Sequence, residues 1–195
     1  MGISLVKGGN LSLTKSAPGL TAVDIGLGWD ARTTTGAKFD LDASALGVGA
    51  NGSIVSDAWF IFFNQTTAPE STIVHKGDNR TGEGAGDDEV IGVSLAALPD
   101  SVDKVVFLAS IYETGDDSAA NGVTFGQVRN AYIRVVNSAD GQELARYDLT
   151  EDAATETAMV FGELYRHNAE WKFRAIGQGY TTGLAGIAKD YGVNV

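Results

Sequence analysis

Strict alternation of apolar and polar residues limits most what this chain can become. The apolar Val23, Ile25, Leu27 and Trp29 alternate with Ala22, Asp24, Gly26 and Gly28. Phe39, Leu41 and Ala43 then alternate with Asp40, Asp42 and Ser44. Successive side chains of a strand point to opposite faces, so each segment turns one face toward a core. Asn51-Gly52 suits a tight hairpin turn, because both residues tolerate positive φ. Residues 54–63 read as a long aromatic-rich strand, and further β-like runs occupy 104–112, 131–136, 143–149, 158–165 and 171–176. Helical signals are few: a turn over 94–98 ended by Pro99, another over 124–129, and a short helix over 182–191 stopped by Gly192. The expected fold is all-β, a β-sandwich of two antiparallel sheets with one or two short helices, one of them near the C-terminus. No linker or internal repeat divides residues 1–195, which read as a single domain.

The charge balance narrows the partners. Fourteen basic side chains stand against 25 acidic ones, a net charge of −11, in a chain that is 44% hydrophobic. That is a folding composition with an excess of negative charge. It argues against nucleic acid, whose phosphates need clustered Lys and Arg, and against docking on anionic lipid. Metal cations are the partners it favours. The absence of cysteine removes disulfides, thiolate metal sites and cysteine nucleophiles. No basic segment followed by an apolar run opens the chain, and the most apolar stretch, residues 59–63, is far shorter than the ~20 residues of a membrane span. A cytoplasmic location is expected.

The chemistry concentrates in residues 77–89, which hold five carboxylates (Asp78, Glu83, Asp87, Asp88 and Glu89), two further side-chain oxygens (Asn79 and Thr81), and glycines at 77, 82, 84 and 86. Glycines let a loop fold tightly and aim its carbonyls inward. Carboxylates crowded there repel by about 4 kcal/mol per pair at 4 Å and an effective dielectric near 20, a cost that a bound cation removes. Hard oxygen donors with flexible geometry favour calcium over magnesium or zinc. The loop is not an EF-hand: Arg80 and Gly82 stand at its third and fifth positions, and Glu83 where glycine is expected. A second oxygen source is the lane of Asp40, Asp42 and Ser44, with Asp24 and Asn64 expected to face the same way on adjacent strands. Each of these alone reads as an ordinary outward polar residue. Together with the loop they outline a multi-oxygen site. His75 either orients a carboxylate or is a satisfied structural histidine, and His167 beside Asn168 reads as a turn residue. Gly26-x-Gly28-x-x-Ala31 matches a loose dinucleotide fingerprint, but no helix follows to carry a phosphate. The acidic pair Asp116 and Asp117 lacks interleaved glycines and reads as a plain loop. No nucleophile elbow, zinc-protease or phosphate-loop motif is present, and no general base stands apart from the candidate ligands.

Several longer stretches resemble one family. They include Leu5-Val6-Lys7-Gly8-Gly9-Asn10, Gly26-Leu27-Gly28-Trp29-Asp30, Phe39-Asp40-Leu41-Asp42-Ala43-Ser44, the whole loop 77–89, Phe161-Gly162-Glu163-Leu164-Tyr165-Arg166 and Gly177-Gln178-Gly179-Tyr180. Over almost its full length the chain resembles the TerD family of tellurite-resistance and general stress proteins. The resemblance implies a sandwich that binds calcium, two ions, in acidic loops. It also implies a cytoplasmic role in resistance to tellurite and other chemical stress, exerted through partner proteins that include a membrane component. Carried over onto this chain, the ligand candidates are Asp78, Asn79, Thr81, Glu83, Asp87, Asp88 and Glu89, the Gly82 carbonyl, and Asp40 and Asp42. The favoured reading is a non-enzymatic calcium-binding module; the alternative is a metal-dependent enzyme acting on phosphoryl or oxyanion substrates.

Overall fold

The computed structural model describes residues 2–30, 41–77, 86–111, 124–149 and 155–193. Among them, twelve strands follow in chain order: β1 (Ile3–Leu5), β2 (Asn10–Ser12), β3 (Ala22–Asp30), β4 (Leu41–Val48), β5 (Phe60–Ile61), β6 (Ile73–His75), β7 (Glu89–Ser94), β8 (Lys104–Ile111), β9 (Arg129–Asn137), β10 (Glu143–Asp148), β11 (Ala158–His167) and β12 (Glu170–Tyr180). Sheet A runs β1-β10-β9-β3-β7-β6, and sheet B runs β2-β12-β11-β8-β4-β5. Every pairing is antiparallel except β1 with β10, which is parallel. The helices are α1 (Leu13–Ser16), whose N-cap Ser12 accepts a hydrogen bond from the Lys15 backbone, and α2 (Gly183–Asp190) near the C-terminus.

The alternation of β3 does what its pattern predicts. Val23, Ile25, Leu27 and Trp29 are buried between the sheets, with Val93, Ile133 and Val135 beside them and Leu41, Ala43, Phe107, Phe161 and Phe173 opposite. Sheet B also carries a second apolar layer. On its outer face Leu46, Val48, Val106, Leu108 and Val160 pack under Ile187 and Ala188 of α2. All eight residues of β4 are buried, because that strand is covered on both sides. Gly192, at φ +76°, ends the helical path just beyond α2, as its position predicts.

Two points differ from expectation. Residues 54–63 are not one strand: Ser56 accepts from the Trp59 backbone, a 3₁₀ turn spans Asp57–Trp59, and the Gln65 amide donates to the carbonyls of Asp57 and Phe60. That turn swings Trp59 inward over Gly47, where a Cβ would meet the indole. The two expected turns are present: the Ala97 and Leu98 N–H groups donate to the Ser94 carbonyl, and a 3₁₀ turn spans Phe125–Gln127 before β9 begins. The short N-terminal elements β1, β2 and α1 have no counterpart in the sequence reading.

Candidate metal centre

From Gly86 the acidic loop re-enters the described residues, and its three consecutive carboxylates go three separate ways. Gly86 sits at φ +111°, a conformation that side chains rarely adopt, and turns the chain into β7. Asp87 reaches outward across sheet A. Its Oδ1 accepts from Arg134 Nε at 2.7 Å and from the Tyr132 hydroxyl at 3.0 Å, and that hydroxyl also lies 2.9 Å from the Gly86 carbonyl. Gly26 lies in register with Arg134, and Gly28 with Tyr132. A Cβ on Gly26 would strike the Asp87 carboxylate, and one on Gly28 the Tyr132 ring. The Gly26-x-Gly28 pattern therefore makes room for two crossing side chains and has nothing to do with a nucleotide. Burial first, and then the Asp87 charge, push the Tyr132 hydroxyl up to about 12, so it keeps the proton it donates. The Arg146 guanidinium lies 3.7 Å over the Tyr132 ring.

Asp88 is held at the end of β3. Its Oδ2 accepts from the Trp29 backbone at 2.8 Å, and its own N–H donates to the Leu27 carbonyl at 2.8 Å. Burial pushes its carboxyl above the usual range; the Trp29 bond opposes this, and the charges of Asp87 and Asp30 add to it. Glu89 points the opposite way to Asp87, into the core. Its Oε2 accepts from the Ala43 backbone at 2.5 Å and lies 3.4 Å from His75 Nε2. Both side chains are at most 1% exposed. His75 Nδ1 accepts the Gly77 N–H at 3.4 Å, and its Nε2 faces Glu89.

Of the remaining expected residues, those that are described do not gather at this end. Asp40, Asp78, Asn79, Thr81, Gly82 and Glu83 lie outside the described residues, as do Asp116 and Asp117. Asp24 is on the outer face of sheet A, 2.7 Å from Lys76 Nζ. Asp42 and Ser44 are on the outer face of sheet B, because β3 and β4 belong to different sheets whose outward faces point apart. Asn64 is exposed in the tight turn joining Phe62 to Gln65. His167 contacts Asn168 at a turn, as expected. One residue escaped the sequence reading. Asp30 continues the lane of Asp24, Gly26 and Gly28, accepts from Asn130 Nδ2 at 2.5 Å, and adds to the negative potential on Asp88. Strand alternation alone could have placed it there.

The donors suit a hard cation: they are carboxylate oxygens, and Asp88 is a half-buried carboxylate raised first by its burial and then by the charges of Asp87 and Asp30. Asp87 is instead committed to Arg134 and Tyr132, and Glu89 to Ala43 and His75. Among the described residues no group of three or more His, Asp and Glu side chains is arranged to hold a metal ion.

A family model for the TerD domain matches residues 1–191. The chain is 56% identical over 194 residues to a protein of Serratia marcescens named tellurium resistance protein TerD, covering 100% of this chain and 99% of that one. It is 50% identical over 196 residues to general stress protein 16U of Bacillus subtilis (strain 168), covering 100% of both. The crystal structure of a homologue of telluride resistance protein (TerD) from Streptomyces coelicolor A3(2) superposes with a TM-score of 0.70 at 26% identity, over 87% of this chain and 96% of that one. Sequence and architecture agree, and the chain belongs to the TerD family.

Proposed function

We propose that this protein is a calcium-binding β-sandwich module of the tellurite and chemical-stress response, acting through protein partners and not by catalysis. The single observation that carries the calcium reading is Asp88, a half-buried carboxylate locked by the Trp29 N–H while Asp87 and Asp30 crowd it with like charge. The other donors of the proposal are Asp78, Asn79, Thr81, Glu83 and the Gly82 carbonyl, with two ions bound in all. Calcium supplies the positive charge that lets these oxygens converge. This chain's own part is to anchor the loop: Tyr132 and Arg134 fasten it to sheet A, and Glu89 ties its far end into the core. An ordered, charged loop at one end of a rigid sandwich is then a surface for a partner. The names of the relatives support the resistance role. In this reading the protein is cytoplasmic and reaches the inner face of the membrane through a membrane-protein partner. Among the described residues no helix is long and apolar enough to cross a membrane.

Calorimetric titration of the chelator-stripped protein with Ca²⁺, against Mg²⁺ as competitor, tests this directly. The expected result is binding of about two ions per chain that survives millimolar Mg²⁺. Stabilisation should reach about 2.7 kcal/mol at a hundred times Kd, a rise in Tm on the order of 5–10 °C. No binding heat together with an unchanged Tm would sink the reading.

Asp88→Asn separates binding from folding. The folded state raises the Asp88 pKa, so native protein holds a proton there more tightly than the unfolded chain does. The charge therefore destabilises the ion-free fold at neutral pH, and the cost is relieved as pH falls through the raised pKa. An asparagine amide oxygen still accepts from Trp29. In chelator Asp88→Asn should thus match or exceed the wild-type Tm, with a flatter acid limb. In calcium it should lose most of the metal-induced rise. A variant that melts early in chelator and still responds fully to calcium would show that Asp88 is structural.

A further inference from the structure

The outer face of sheet B extends beyond the apolar area that α2 covers. Strand register sets the side chains there in two adjoining rows. Lys104, Tyr165, Lys172 and Ser12 form one row across β8, β11, β12 and β2, and Val106, Glu163, Arg174 and Asn10 form the next. Three of the chain's 14 basic residues thus share one small area of a protein whose net charge is −11. Beneath them is Glu163, only 2% exposed. Its Oε1 accepts from Arg174, and its Oε2 lies 3.4 Å from Lys104 Nζ. Glu170, two residues before Lys172 on β12, is held instead by the Ser12 hydroxyl at 2.7 Å and Lys15 Nζ at 2.9 Å. The buried carboxylate therefore fixes two cations in place, and Lys172 stands beside them with no ion pair among the described residues. The surface above Glu163 is positive.

Two tyrosines frame this patch. The Arg174 guanidinium lies 5.3 Å over the Tyr165 ring. Tyr191 closes α2 next to Glu163 and Arg174; burial first, then Tyr180, Glu163 and Asp190, push its hydroxyl up to about 12, so it remains a donor. Pairing Glu163 requires a single cation. Lys172 adds a like charge two residues from Arg174 on the same face, where the two repel. An anionic partner turns that repulsion into attraction. Its size follows from the sheet: strands lie about 4.8 Å apart, which separates Lys104 from Lys172 by about 10 Å, and Lys172 and Arg174 are about 7 Å apart along β12. One phosphate or carboxylate does not span that grid, and small ligands favour concave sites over a sheet face. A run of carboxylates along a peptide does span it. Nucleic acid or an anionic bilayer would press a long array of negative charge against the rest of an acidic surface. A protein segment can meet the patch alone, and Tyr and Arg are the residues enriched at the centres of such contacts.

We propose that the face formed by Lys104, Lys172 and Arg174 docks an acidic segment of a partner protein, its carboxylates on the three cations and its backbone across Tyr165. The patch lies at the far end of β4 and β8 from Ala43, where Glu89 crosses between the sheets, so docking here needs no calcium. The test is therefore run in chelator, and its outcome does not depend on the calcium reading. A short fluorescein-labelled peptide of alternating Glu and Ala is titrated with the protein by fluorescence polarisation. It should bind saturably at one per chain, more weakly as salt rises, and the Gln-for-Glu peptide should not bind. Lys172→Glu should weaken binding about tenfold or more while leaving Tm unchanged or higher, since it relieves repulsion and breaks no ion pair. Lys76→Glu makes the same change of charge on the outer face of sheet A and should alter affinity by less than about twofold. If the acidic peptide does not bind, or if Lys172→Glu and Lys76→Glu weaken it equally, the proposal falls. Tighter binding of oligothymidylate or of phosphatidylserine vesicles than of the peptide, lost in Lys172→Glu, would overturn it in favour of a different polyanion.

Discussion

Glu89→Ala is expected to destabilise the protein by about 3–5 kcal/mol, even in chelator, lowering Tm on the order of 10 °C. The reason lies in how sheet B ends. The short strand β5 pairs with β4 only at Ala45 and Leu46, so the β4 ladder on that side has stopped before it reaches Ala43. The Ala43 N–H is buried and needs an acceptor, and it finds one in Glu89 Oε2, which crosses from the other sheet. Glu89 thus does the work of a missing strand and joins the two sheets through a polar contact in an apolar core. Truncation removes that acceptor, opens a cavity, and takes away the group that His75 faces. Glu89→Gln keeps the shape and a carbonyl oxygen for Ala43, so its cost should be about 1 kcal/mol. Urea unfolding of both variants in chelator measures the ranking. If the loss from Glu89→Ala appeared only with calcium present, Glu89 would be a ligand and not a cross-sheet tie.

The sandwich was legible because its central strands alternate cleanly over long stretches. Val23 to Trp29 puts every apolar side chain on one face, and that face is the core. β4 was half legible. Its Asp42 and Ser44 looked like a solvated or ligand-bearing lane, yet the same lane continues into Leu46 and Val48, which only a covering element can explain. That element, α2, is more than a hundred residues away in the chain. β1 and β2 were not legible, since three-residue edge strands with exposed residues such as Ile3 carry no periodic signal. Residues 54–63 misled because aromatic content favours strands, whereas Ser56, Asp57 and Gln65 impose turns through specific hydrogen bonds. At the site, the sequence showed how many carboxylates there are but not where each points. The partners that direct them, Arg134 for Asp87 and Ala43 for Glu89, are separated from them by 47 and 46 positions.

Gly28→Val should cost about 3 kcal/mol, although valine is ordinarily favoured in a strand. Intrinsic preference is worth at most about 1 kcal/mol here. Against it stands a collision, because a Cβ at Gly28 would occupy the space of the Tyr132 ring. That ring cannot move freely: its hydroxyl bonds Gly86 and Asp87, and Arg146 lies across its face. Displacing it combines overpacking, about 1–3 kcal/mol, with the loss of the one hydroxyl proton's hydrogen bond shared between Gly86 and Asp87, about 1 kcal/mol. A double-mutant cycle with Tyr132→Ala isolates the cause. Removing the ring first frees the space, so Gly28→Val should then cost little, and the pair should be less damaging than the two single losses added together. The same displacement loosens the end of the acidic loop that Tyr132 and Arg134 hold. On the proposed calcium reading, the ion must then order a limb that the wild type presents already fastened, so metal affinity should fall in Gly28→Val and in Tyr132→Ala alike. Equal affinity in all three proteins would mean that the strap shapes the sheet surface and leaves the ions indifferent to it.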